Sequence, residues 1–160
     1  KEKFETQIKL QVVPNSKLSR KERLDLHNTT MALYDLTQEL AYVVYEIDEY
    51  LAQAQPLESN AAAQVLVDKL TALKETLVIT TGDNYVGAAE QQLREKLTDL
   101  YSKVASGFTP PSAAEKANMT LLVNRFDKAK SDLAKIKKSH LNALQDQNVE
   151  LKTFEDFLAE

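Results

Sequence analysis

The chain contains no cysteine and no tryptophan, and only three glycines and four prolines among 160 residues. Without cysteine there are no disulfides, no thiolate metal ligands and no cysteine nucleophile. So few glycines and prolines cannot punctuate the many short strands of an all-β fold, nor compose a disordered linker. No apolar run approaches the roughly 20 residues that cross a bilayer, and the N-terminus lacks the basic-then-apolar pattern of a signal peptide. A basic surplus is missing as well. The net charge is −4, whereas nucleic-acid binders usually carry an excess of Lys and Arg.

What is present is helical periodicity. From Pro110 to about Gln145, Met119, Leu122, Phe126, Ala129, Leu133, Ile136, His140 and Ala143 recur at alternating spacings of three and four. That stripe marks a helix buried along one side against other helices. At 1.5 Å per residue the rod is about 54 Å long, and only further helices can cover it. Thr109 is the expected N-cap, with Pro110 at the first helical position.

The remaining chain supplies those helices. Residues 3–13 alternate, with Phe4, Thr6, Ile8, Leu10 and Val12 on one side, and read as a half-buried strand. A lone strand before a helical bundle has no sheet to join. It is therefore expected to be the last strand of a preceding β-domain, or else to pair with a partner chain, and the start at Lys1 fits a piece of a longer protein. Ser19 and Glu22 form a capping box that opens the first helix. Its stripe runs Leu26, Thr30, Leu33, Thr37, Leu40, Val44, Ile47, Leu51, widened by Leu36, Val43 and Tyr50. A second helix is expected over 57–78, with Ala62, Leu66, Leu70, Leu73 and Leu77 inward. Thr80 to Asn84 reads as a turn. A third helix follows over 85–105, with Val86, Leu93, Leu97, Leu100 and Val104 inward, closed by Gly107. Short connections favour antiparallel neighbours. The expected fold is thus all-α: an antiparallel up-down four-helix bundle over 19–146, a leftover strand and linker over 1–18, and a tail or short return helix over 147–160.

Charge selects the neighbours. Between Leu24 and Asp68 there are acids (Asp25, Asp35, Glu39, Glu46, Asp48, Glu49, Glu58, Asp68) and no Lys or Arg. Between Lys116 and Lys138, seven bases face only Asp127 and Asp132. Opposite signs favour the first helix beside the fourth, the alternative being two separately solvated faces, since each exposed pair contributes only about 0–1 kcal/mol.

No catalytic constellation emerges. His27 and His140 would approach the same end of an up-down bundle, which makes a two-histidine metal enzyme the rival reading. The Glu-x-x-His repeats of di-iron bundles are absent, however, because Leu24 and Lys137 stand at the −3 positions. Asp48-Glu49 lacks EF-hand spacing, and no G-x-S-x-G elbow occurs. No cofactor or metal site is expected. The lysines of the fourth helix offer a second rival, binding to anionic lipid or nucleic acid, without flanking aromatics for base stacking. The tyrosines are concentrated in the first helix. Tyr34, Tyr42 and Tyr45 lie off its main stripe, and with Glu46 and Glu49 they form the candidate protein-interaction surface.

Several stretches resemble one family. They are Asn84-Tyr85, Leu93, Lys96-Leu97, Leu100-Tyr101, Val104, Ser106-Gly107 and Pro110-Pro111-Ser112, preceded by the run Leu70 to Val78 and Thr80-Thr81. The pattern resembles the C-terminal helical region of bacterial sortilin-like BNR-repeat (Asp-box) β-propeller proteins, often labelled glycosyl hydrolases. Val12-Val13-Pro14 resembles the break at which a short β-domain hands over to the helices in that group. The likeness implies an accessory bundle of an exported, cell-surface protein, whose partner is protein and whose propeller holds any hydrolase activity. It transfers no catalytic residue to this chain.

Overall fold

The computed structural model describes residues 5–7, 9, 17–57, 60–79, 91–144 and 149–159. Among these the regular structure is entirely helical. The helices are α1 (Arg20–Ala54), α2 (Ala61–Leu77), α3 (Leu93–Ala105), α4 (Ala113–His140) and a short α5 (Phe154–Leu158), with 3₁₀ turns at Gln55–Leu57 and Leu141–Leu144. The strand expected over 3–13 falls mostly outside the described residues. Glu5, Thr6, Gln7 and Lys9 are exposed and irregular.

Helix starts follow local hydrogen bonding. The Ser19 hydroxyl accepts from Glu22 N–H while the Glu22 carboxylate accepts from Ser19 N–H at 2.7 Å, the reciprocal bonding expected there. Asn60 caps α2 through Ala62 N–H. The fourth helix starts later than expected: Ser112 is its N-cap, paired with Glu115, and Pro110 and Pro111 precede it. Pro111 disfavours a helical conformation at Pro110, and the Ser112–Glu115 box then supplies a better start. In α2, Ala63 rather than Ala62 is inward. Of the third helix, 93–105 is helical, Gln91 and Gln92 are not, and Val86 and the turn expected at Thr80 to Asn84 lie outside the described residues.

The periodic stripes make the core. Leu33, Leu40, Ile47, Leu66, Leu70, Leu77, Leu93, Leu97 and Phe126 are fully enclosed, and no buried side-chain polar atom among the described residues lacks a partner. At about 25 cal/mol per Å² of apolar surface, each such side chain contributes on the order of 1.5–3 kcal/mol relative to exposure.

The direction of each helix can be read from specific contacts. Lys116 pairs with Asp25, Lys130 with Glu39 and Lys137 with Glu46, each across a sequence separation of 91. A constant offset requires α1 and α4 to run parallel and in register, and heptad spacing keeps all three pairs on one seam. This bears out α1 and α4 as charge-paired neighbours but corrects their direction, because an up-down-up-down order would make them antiparallel. The reason lies in the middle of the chain. Arg125, near the centre of α4, donates to Thr76 O at the end of α2 and to Gln92 Oε1 at the start of α3. From that point α3 runs toward the start of α4, where Lys103 meets Glu115 at 3.4 Å. On the other side, α2 lies along the C-terminal half of α4 and meets the turn at Leu141–Leu144. Two short helices placed end to end therefore share one return pass between two long rods. Both α2 and α3 pack against α1 and α4, and they barely touch each other.

Candidate interaction surface

The five residues expected to form an interaction surface separate into distinct environments. Tyr34 is 43% exposed. Its ring lies 6.4 Å from that of Tyr101 on α3, and its hydroxyl accepts from Gln38 Nε2. Glu46 faces α4 and pairs with Lys137, whose ammonium also sits 5.6 Å over the Tyr50 ring. Burial pulls the Lys137 pKa down, but the hydrogen bond and charge of Glu46 outweigh it, and the net direction is up. Burial raises the Tyr50 phenol against the opposing charge of Lys137. Glu49 is half-buried near the end of α1.

Tyr42 and Tyr45 do act together, one helical turn apart with rings 5.9 Å from each other. They hold the chain's own residues 151–158. The Tyr42 hydroxyl donates to Lys152 O at 2.8 Å, and the Tyr45 hydroxyl accepts from Lys152 N–H at 3.2 Å. One residue's main-chain donor and acceptor are thus both satisfied by tyrosine hydroxyls. The next residue, Thr153, caps α5 by accepting from Asp156 N–H. The turn that follows presents Phe154 edge-on to Tyr42 at 5.3 Å and Phe157 stacked on Tyr45 at 5.2 Å, with Phe157 also edge-on to Tyr42 at 5.6 Å. These offset and edge geometries are the favoured ones for aromatic pairs.

Phe154, Phe157 and Lys152 were missed by sequence reasoning as partners of the tyrosines. The signal was there: Thr153-x-x-Asp156 is an N-cap pattern, and Phe154 and Phe157 share a face at a spacing of three.

The rival sites fare differently. A register of 91 sets His140 level with Glu49, more than twenty residues along α1 from His27 and hence about 33 Å away. The two histidines do not meet, and no group of three metal-ligating side chains gathers among the described residues. In the basic stretch of α4, Lys116, Lys130, Lys135 and Lys137 are ion-paired, and Arg125 is bonded to α2 and the α3 cap. No described helix is long and apolar enough to cross a membrane.

Fold and site together define an all-helical bundle whose Tyr42–Tyr45 face packs on its own residues 152–157 through main-chain bonds and ring contacts. Comparison with protein-family models, curated proteins and solved structures gives no match.

Proposed function

We propose that this chain is a non-catalytic structural and protein-interaction bundle, an accessory C-terminal domain of a larger exported or cell-surface protein. The observation that carries the reading is the Tyr42–Tyr45 face, which holds the chain's own residues 152–157 by the main chain and by two aromatic side chains. Surfaces enriched in tyrosine suit protein recognition because the ring supplies apolar area and the hydroxyl supplies hydrogen bonds. In this reading a β-domain precedes the bundle, as the likeness to the propeller proteins implies. The partner is protein, drawn from the upstream domains or a surface complex, and not nucleic acid. Ion pairing of the α4 lysines favours this over a polyanion-binding role, and the separation of His27 from His140 removes support for the metal enzyme.

Crosslinking and mass spectrometry on the native full-length protein test the proposal. Carboxylate-reactive crosslinks from α1 to a second polypeptide support a docking module. Crosslinks confined to the same polypeptide would refute docking in trans and leave an intramolecular spacer.

A further inference from the structure

We propose that the Tyr42–Tyr45 face is a recognition site for a single N-capped helical turn bearing aromatic side chains three residues apart, and that residues 149–159 fill it in cis as a displaceable latch. The inference rests on the docking reading and specifies its ligand.

Three observations carry it. First, the two hydroxyl bonds go to the main chain of Lys152, so this part of the contact reads backbone shape. Sequence discrimination is left to the rings, which take Phe154 and Phe157. Second, the segment is lightly held. No residue of α5 is buried, and Leu158 is 41% exposed. Of the whole segment only Val149 and Leu151 pack against the core, and both are partly buried, whereas α5 itself adds nothing to it. Third, a helix of five residues is far below the roughly 12–15 that isolated helices need in water. Docking therefore folds α5, and undocking unfolds it. Release uncovers two tyrosine rings and leaves their hydroxyls bonded only to water, ready for a segment of the same chemistry from another polypeptide. The trans ligand is a peptide that begins with a Thr or Ser cap and places Phe, Tyr or Trp at the first and fourth helical positions.

The test uses the full chain, the Phe154→Ala/Phe157→Ala variant, and a fluorescent peptide with the sequence of residues 149–159. The cis segment competes at an effective concentration in the mM range, so the peptide should bind the variant at least about tenfold tighter than the unmodified chain, the factor set by the small open fraction. Adding Tyr45→Ala to the variant should abolish binding. Equal affinity for the variant and the unmodified chain, or no binding to a variant with unchanged helicity, overturns the proposal. Amide hydrogen exchange on the unmodified chain gives an answer independent of any variant. Amides of α5 should exchange orders of magnitude faster than those around Leu40 and Leu133, whereas equal protection would mean that the segment opens only with the whole fold. Failure here is distinct from failure of the docking reading, which crosslinks confined to one polypeptide would reveal whatever the peptide does.

Discussion

Glu46 and Lys137 offer a direct measurement of how the two long helices are arranged. Their side chains are 12% and 35% exposed, against 47% and 41% for Glu39 and Lys130. Two unit charges 4 Å apart attract by about 1 kcal/mol in bulk water and about 4 kcal/mol at an effective dielectric of 20, before desolvation is subtracted. A double-mutant cycle of Glu46→Gln and Lys137→Met, followed by urea unfolding, should therefore give a coupling of about 1–2 kcal/mol. The Glu39–Lys130 cycle should give less than about 1 kcal/mol, as exposed pairs do. The decisive control pairs Asp25→Asn with Lys137→Met. Parallel rods hold these residues three heptads apart, about 32 Å. That is roughly three Debye lengths at 0.1 M salt, so their coupling should vanish. An antiparallel arrangement reverses the result. A sizeable Asp25–Lys137 coupling with none between Glu46 and Lys137 would refute the parallel register.

Other consequences can be checked as simply. Phe126 is fully enclosed, and Phe126→Ala should cost about 3–5 kcal/mol by urea unfolding, a large share of the 5–15 kcal/mol typical of a domain; a loss under about 1 kcal/mol would show that the core is misassigned. The carboxyls of Glu22 and Glu115 are held below their ordinary value of 4.5 by hydrogen bonds from the Ser19 and Ser112 caps. Their stabilisation is fully present above pH 4.5 and fades as pH falls through the lowered values. Glu22→Gln/Glu115→Gln should flatten the acid limb of the stability profile, and an unchanged limb would remove the caps from the account. Lys137 has the opposite sense: its stabilisation is fully present below its ordinary value of 10.5 and lost as pH rises through the raised one, so Lys137→Met should make the alkaline decline shallower. Tyr42→Phe removes one bond to Lys152 and should loosen residues 149–159 by about 0.5–1.5 kcal/mol in hydrogen exchange, with little change in the global urea midpoint.

Much of the core was legible in the chain because period reports burial directly. Leu122, Phe126, Ala129 and Leu133 in α4, and Leu93, Leu97, Leu100 and Val104 in α3, are buried as their spacing required. Charge pattern picked the right neighbours for the same physical reason that Asp25, Glu39 and Glu46 find lysines. Direction was not legible. Acid and base runs attract equally in either sense, and only the heptad register of the individual pairs fixes polarity. Nor did short connections reveal that α2 and α3 meet end to end on Arg125, since that depends on helix length relative to the rods. The tyrosine face was half read. Tyr42 and Tyr45 stood out by lying off the main stripe, but their partner sits more than a hundred residues away, where no local pattern connects them.

The number of passes settles how this fold bears a load. An even number would return the chain to the end where it entered. Here the chain runs along α1, back through α2 and α3, and out along α4, so Arg20 and His140 lie toward opposite ends of rods about 52 and 42 Å long. A pull between those two points acts along the helix axes and shears the packed seams against one another, with the lysine–carboxylate pairs resisting together rather than opening one at a time. Force applied between those two points would load the three passes in shear rather than peel them apart one contact at a time.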